Sequence, residues 1–388
     1  MVVHRLDKPS SYDYVLVGGG LQNALIALAL ARQQPACRLA LLDARARLGS
    51  GHTWSFHESD LSAAERGFVE PLVAHRASSH EVRFASYERT LGGAYCTVSG
   101  EQLERVLSEC FAERAGFDLM LGRRVEQVEA EHVLLDDGQR LSGTAIIDAR
   151  GPERLQADVA GYQKFLGLEL EWERDHGIDK ALLMDARVEQ LDGFRFMYVL
   201  PFGPRRALIE DTYFSDGGEL DLPSLRQRIF DYAATRGLGS PRVVREETGV
   251  LPLPRSLSLP QATAPLRAGY AGGFFHPTTG YSFPVAARLA SFVAGRPAQS
   301  LFGDELGQFV AVQARQVRFA LLLNRLLFGA MEGSQRHAVF ERFYRLPEAS
   351  IARFYALRTT PLDRTQILCG RPPRGISLRR ALLEGLHP

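Results

Sequence analysis

Three consecutive glycines, Gly18-Gly19-Gly20, stand directly after the apolar run Tyr14-Val15-Leu16-Val17 and directly before a helix-like stretch from Leu21 to Arg32. A buried strand that turns on glycine into a helix opens a parallel βαβ unit, and a second strand over Arg38 to Asp43 follows within the usual length. Gly18 permits the tight turn. Gly20, having no side chain, lets the amides at the helix N-terminus approach a pyrophosphate. Asn23 and Ala24 stand where the GxGxxG pattern has its third glycine. Asp43, at the end of the second strand, is placed to accept hydrogen bonds from a ribose. A glycine turn that only packs a helix on a sheet leaves Asp43 unexplained. The pattern therefore predicts a Rossmann-type dinucleotide site carried by Gly18, Gly20, Asn23 and Asp43.

The remaining pattern fits an α/β chain with an insertion. Ser99 reads as the N-cap of a helix to about Arg114, with Leu103, Val106, Leu107, Cys110 and Phe111 on its inner face. Arg124 to Ile147 reads as short strands with Asp136-Asp137-Gly138 as a hairpin turn. Ala145 to Asp148, ending at Ala149-Arg150-Gly151-Pro152, reads as a core strand returning toward the nucleotide. Phe194–Leu200 and Ala207–Ser215 are strand-like runs separated by Pro201-Phe202-Gly203-Pro204, the mark of an inserted antiparallel sheet. Beyond Arg296 the chain turns helical and rich in arginine and aromatics. The expected organisation is a nucleotide domain over 11–161 and 254–296, an antiparallel substrate domain over 162–253, and a helical region over 297–388.

Composition narrows the partners. A formal charge of +1 gives no overall pull toward nucleic acid. Cys37, Cys96, Cys110 and Cys369 are scattered without a CxxC pair, which argues against a disulfide framework or a structural zinc site and fits a reducing cytoplasm. Met1–Ser10 lacks the apolar core of a signal peptide, and the nearest approach to a membrane span, Phe319 to Met331, is broken by Asn324 and Arg325.

A second glycine-rich stretch runs from Ala271 to Pro284 as Ala-Gly-Gly-Phe-Phe-His-Pro-Thr-Thr-Gly-Tyr-Ser-Phe-Pro. It resembles the late GD…H-P-x-x-G block of FAD monooxygenase-like proteins, with Gly273 where many redox members carry aspartate. That resemblance points to FAD and makes Gly272, His276, Pro277, Thr278 and Gly280 candidate cofactor contacts.

Together with this block, the Gly18-to-Ala24 turn, the string His52-Thr53-Trp54-Ser55-Phe56-His57 and the string Ile209-Glu210-Asp211-Thr212-Tyr213-Phe214-Ser215 resemble bacterial lycopene β-cyclases. Phe343-Tyr344-Arg345-Leu346-Pro347 and Ala352-Arg353-Phe354-Tyr355 agree, so the resemblance runs from about Tyr12 to Pro372. Ala24 and Ser50-Gly51 are mild departures. The resemblance implies an FAD monooxygenase-like architecture and conversion of lycopene through γ-carotene to β-carotene. It also implies FAD acting in its reduced form, with electrons from NAD(P)H that are not consumed stoichiometrically. His52 joins the cofactor candidates.

The resemblance also makes Glu210, the glutamate of a Glu-Asp-Thr motif, the catalytic acid. In a strand over Ala207–Ser215, Leu208, Glu210, Thr212 and Phe214 share one face. A carboxyl facing an apolar cavity there is desolvated and its pKa raised. A shift to about 6.5 from ~4.3 corresponds to roughly 3 kcal/mol. Asp211 points the other way, toward a structural pair with Arg205 or Arg206, or else serves the substrate. Trp54, Phe56, Tyr213 and Phe214 are candidates for cation–π stabilisation of a carbocation. His52 and His57 make a poor metal site. A lipid-confined substrate calls for docking on the inner face of the cell membrane, for which Arg315–Leu327 and Ile351–Arg358 are the candidate segments. The open alternatives are a redox flavoenzyme of the same fold, either a hydroxylase or a prenyl reductase, and a non-catalytic prenyl-lipid carrier.

Overall fold

The computed structural model describes residues 11–49, 51–151, 155–237, 239–369 and 375–386; Met1–Ser10, Ser50 and Pro152 lie outside them. The first strand, Ser11–Val17, pairs in parallel with Leu39–Asp43 on one side and Arg140–Asp148 on the other. Phe117–Leu121 extends this sheet beyond Leu39–Asp43, and an antiparallel meander of Val125–Val128 and His132–Leu135 closes the other flank. Tyr14, Val15 and Leu16 are fully buried because helices cover one face of the sheet and the meander covers the other. Helix Leu21–Gln33 leaves the glycine turn and is buried along almost its whole length. Helix Gly100–Ala112 starts at Ser99, whose side chain accepts the Gln102 amide, and buries Leu103, Val106, Leu107, Cys110 and Phe111 as its 3.6-residue spacing predicts. The hairpin before Arg140–Asp148 turns at Gly138, with φ +81°.

A second sheet of seven strands runs in the order Arg242–Leu257, Ala157–Glu171, Arg206–Ser215, Phe194–Pro201, Ala181–Asp185, His80–Arg83, Glu88–Leu91. Its first five strands pair antiparallel, in keeping with the expected inserted sheet. Its extent differs from 162–253: the flanking strands reach back to Ala157 and on to Leu257, and the hairpin His80–Leu91 joins from the N-terminal half. That hairpin is recruited because Val82 and Leu91 are apolar and are buried beside Ala181, Leu183 and Met184.

Strand parity divides the sheet's two faces. Helix Leu222–Thr235 covers one with Leu225, Ile229 and Tyr232, against Leu168, Met197, Val199, Ile209 and Tyr213. Leu208, Phe214, Phe196 and Leu200 turn to the other face, toward Phe340 and Tyr344 of the C-terminal helices. Beyond the long helix Asp304–Asn324 a π-helical turn, Arg325–Gly329, packs on the strand Ala157–Glu171; a Cβ at Gly161 would lie 2.2 Å from the Phe328 ring.

The two arginine-rich segments proposed for membrane contact are corrected by their packing. Val317, Phe319, Leu321, Leu327, Ile351, Phe354 and Leu357 are all buried in the protein core. No described helix is long and apolar enough to cross a membrane.

Candidate active site

A single cavity of about 790 Å³ runs from the glycine turn to the carboxyl-bearing face of the second sheet. At its nucleotide end, Gly18 (φ +97°) brings the turn so close to the strand end that a Cβ would lie 2.9 Å from the Ala149 carbonyl oxygen. A Cβ on Gly20 would meet nothing within 4 Å, so the turn leaves open space where a phosphate would approach. The helix that follows has no side-chain cap and no acidic residue in its first turn, leaving its positive end available to an anion. Arg45, Arg123, Arg124 and Arg150 line the same end.

Asn23, set where a glycine is usual, is fully buried and donates from Nδ2 to the carbonyls of Val17 (3.0 Å) and Gly18 (2.8 Å). It fastens the turn without reaching the cavity. Asp43 lines the cavity; burial works to raise its pKa, but Arg45 and the amides of Arg45 and Gly19 win and hold it low. The Gly19 amide donates to its Oδ2 at 2.6 Å.

The His-Pro block divides in two. Gly280 (φ +66°) lines the cavity with Thr279, Tyr281 and Ser282. His276, Pro277 and Thr278 lie behind it. His276 is 1% exposed, its pKa pushed down to about 3 by burial, and its ring packs on Phe354 at 4.5 Å. The Pro277 carbonyl accepts from Asn324 (2.9 Å) and the Thr278 hydroxyl donates to the Ala320 carbonyl (3.0 Å). Gly272 serves contact of backbone with backbone, since a Cβ there would sit 2.0 Å from the Arg267 carbonyl oxygen. These four residues shape the loop from behind and do not line the cavity.

At the other end Glu210, Thr212 and Phe214 face the cavity from one strand, as alternation predicts. Glu210 has no side-chain hydrogen-bond partner among the described residues. Burial, and the nearby Glu247 carboxylate, push its pKa well above the ordinary carboxylate value, with Arg245 pulling weakly the other way. Asp211, on the opposite face, is fully buried and held by Arg195 (Nε to Oδ1, 2.7 Å) and by the Tyr213 hydroxyl (3.0 Å). Its partner is therefore Arg195 on the neighbouring strand, not Arg205 or Arg206. Tyr213 faces helix Leu222–Thr235, so neither Asp211 nor Tyr213 meets the cavity. Trp54 and the exposed His52 line it, whereas Phe56 is buried behind, stacked on Phe283 at 4.2 Å.

The sequence reading missed several groups that the fold brings to this end. Glu247 comes from the edge strand Arg242–Leu257; it accepts from the Thr53 hydroxyl (2.9 Å) and from Arg245. Tyr198 lies beside Glu210 on the next strand and shares a hydrogen bond of 3.1 Å with Tyr95. Tyr281 donates to buried Asp60 at 2.7 Å, and burial raises the Asp60 carboxyl to about 7. Tyr95, Tyr198 and Asp60 gave no motif or period in the sequence, since each comes from a different element; Tyr281 stands inside the His-Pro block, where nothing in the motif marked it as the partner of Asp60. His57 is buried and kept neutral by burial and by His80, and no group of metal-binding side chains forms among the described residues.

Against known structures, the chain superimposes on a geranylgeranyl bacteriochlorophyll reductase-like protein from Thermoplasma acidophilum. The TM-score is 0.62 at 14% identity, over 97% of this chain and 96% of that one. It superimposes on the flavin-dependent brominase Bmp2 with TM-score 0.66 at 12% identity, over 89% and 94%. These likenesses fix the fold. In sequence, the chain is 40% identical over 371 residues to the lycopene beta-cyclase of Pantoea ananas, covering 93% of this chain and 95% of that one. It is 38% identical to the Paracoccus sp. enzyme of the same name over 94% and 95%. The chloroplastic lycopene beta cyclase of Arabidopsis thaliana is 27% identical over 56% of this chain and 49% of its own length. The family model described as "Lycopene cyclase protein" matches residues 13–381, and the chain belongs to that family.

Proposed function

We propose that this protein is a lycopene β-cyclase that closes the ψ-ends of lycopene through γ-carotene to β-carotene, with Glu210 as the acid. Family membership supports the reaction. The observation that carries the mechanism is the position of Glu210: a carboxyl without a hydrogen-bond partner, on the cavity face of an apolar sheet, with its proton retained by burial.

Ring closure needs a proton on the terminal alkene carbon. The Glu210 O–H bond breaks as that C–H bond forms, leaving a tertiary cation. The electron pair of the neighbouring alkene then forms the ring C–C bond, and a ring C–H bond breaks to release a proton to a base in the cavity. Atoms and electrons balance without an oxidant. Water would quench the cation, and the walls of Phe165, Leu183, Phe196, Leu200, Phe214 and Leu251 exclude it. Trp54 and Phe214 present ring faces worth about 1–2 kcal/mol each to a desolvated cation.

The nucleotide end of the cavity fits FAD: open space over Gly20, an uncapped helix start and Asp43 for a ribose support the assignment. Gly18, Gly20, Asp43, His52 and Gly280 would hold it. FAD in its reduced form, kept so by NAD(P)H, would supply electron density that stabilises developing positive charge.

A carotene dissolved in lipid must be taken from a bilayer. Helix Leu378–Leu386 exposes Leu378, Leu382 and Leu383 beside Arg379 and Arg380, which supports peripheral docking at an anionic inner leaflet.

Glu210→Gln tests the assignment. The variant is expected to keep FAD and fold while losing cyclisation by a factor of ~10² or more, as removal of a general acid does. Normal β-carotene formation in lycopene-accumulating cells expressing this variant would remove Glu210 from the role.

A further inference from the structure

We infer that Glu247 is a positioning residue that forms, across Gly167, a one-proton carboxyl pair with Glu210 and so keeps the catalytic proton in place. The inference rests on Glu210 being the acid.

The pair is built by register. The strand Ala157–Glu171 lies between the two glutamate strands, and its Gly167 is the partner of Glu210 on one side and of Glu247 on the other. Residues in one row across neighbouring strands point to the same face. With any other residue at 167, a side chain would stand between the carboxyls. A Cβ there would lie 3.0 Å from Glu210 Cγ and 3.2 Å from Glu247 Cγ, so only glycine leaves the gap open.

The two members are not equivalent. Glu247 accepts from Thr53 at 2.9 Å and from Arg245, whose Nε also donates to Glu169 at 2.9 Å. Glu210 has neither partner. Two carboxylates in one desolvated site cannot both ionise cheaply, so the two groups together hold one proton. Arg245 and Thr53 favour the anion on Glu247, which leaves the proton on Glu210, where the substrate cavity begins. Burial pushes both titrations upward; the Glu247 charge adds to the rise at Glu210, whereas at Glu247 Arg245 and Thr53 pull against burial.

The charged and titratable groups around Glu210 are few. Glu247 and Arg245 come from Arg242–Leu257, with Glu169 behind Arg245. Tyr198 stands on the row's other side, with Tyr95 behind it. His52 lies near Arg45 and Arg245, and partial desolvation of its ring within the cavity, together with those two charges, lowers its pKa. Glu247 is the one anion in this set that bears directly on Glu210 without an intervening cation.

The test is the pH dependence of cyclisation in FAD-loaded enzyme on lycopene-containing vesicles, with flavin content as a check of fold. Activity requires a protonated Glu210, so it falls on the alkaline side as that proton is lost. Glu247→Gln removes the neighbouring charge and is expected to move the alkaline limb about one to two pH units toward acid. Glu247→Asp keeps the charge and should leave the limb near its original position. Gly167→Ala, which wedges the pair apart, should move it in the same direction as Glu247→Gln but less far, and it serves if Glu247→Gln fails to hold flavin. A limb unmoved in both Glu247→Gln and Gly167→Ala, or a loss equal at every pH, overturns the pair. Glu210→Gln separates the two ideas: if it is inactive while the limb in Glu247→Gln stays put, only the pair fails; if it is active, the acid assignment fails with it.

Discussion

Glu210 and Asp211 are adjacent in sequence, both carboxylic acids and both deeply buried, yet the fold gives them opposite work. Asp211 is closed off by Arg195, with 0% of the Asp211 side chain and 6% of the Arg195 side chain exposed. Breaking a buried pair by deleting one partner strands a charge, so Arg195→Met should cost about 3–5 kcal/mol in urea unfolding. Burial already raises the Asp211 pKa above its unfolded value even with Arg195 present. A raised carboxyl contributes most below its unfolded pKa and loses that contribution as pH rises through the folded value. Removing Arg195 raises it further, so the loss should be smaller near pH 5 than near pH 8, where the stranded carboxylate is ionised. A pH-independent loss would show that Asp211 is not the group left uncompensated. Glu210→Gln, in contrast, replaces a neutral acid with a neutral amide and should leave stability within about 1 kcal/mol. Alternation along one strand was enough to separate these two residues from sequence alone. It could not supply Arg195, because the partner depends on which strand lies alongside and in which register. Glu247 was hidden for the same reason. Arg-Glu-Glu-Thr reads as a solvated edge, and only pairing through Gly167 carries one of its glutamates to the cavity.

At the level of elements, the first βαβ unit was the most legible part of the chain because its signals are local: a glycine turn, an apolar strand and a run of helix-forming residues each follow from neighbours in sequence. The His-Pro block was legible as an element but not residue by residue. Its turn places Gly280 forward and His276 to Thr278 behind, since Pro277 and Thr278 hydrogen-bond to the helix Asp304–Asn324 and the His276 ring packs on Phe354. The C-terminal helices were the least legible. Leu and Phe beside Arg serve equally well for a core or for a lipid surface, and packing assigned Arg315–Leu327 and Ile351–Arg358 largely to the core. The exposed apolar surface passed to Leu378–Leu386, where Leu382 is 71% and Leu383 56% exposed. Replacing both with glutamate removes apolar contact and adds charge of the same sign as an anionic leaflet. Co-sedimentation with anionic vesicles should fall by at least about tenfold while soluble flavin content holds. Undiminished co-sedimentation would place the contact elsewhere.

Across the whole molecule, a fold shared with a geranylgeranyl bacteriochlorophyll reductase-like protein and a flavin-dependent brominase places Glu210 and Glu247, the residues of the proposed proton chemistry, on the inserted sheet, away from the glycine turn. The nucleotide end and the carboxyl end open into one cavity, so the arrangement alone is compatible with redox turnover or with acid catalysis. Stoichiometry separates them. An acid-catalysed closure moves a proton in and a proton out, so product and substrate share one mass, and reductant is needed only to bring the flavin to its active state. A reductase would add two hydrogens per event and consume one reductant molecule each time; a hydroxylase would add an oxygen atom and need dioxygen. Anaerobic enzyme, reduced once and given an excess of lycopene in vesicles, should therefore complete many turnovers with no further reductant, yielding β-carotene of unchanged mass. Product that stops at one equivalent per flavin would mean that the flavin is spent in the reaction. The carboxyl pair would then be an accessory to electron transfer and not the source of the rate.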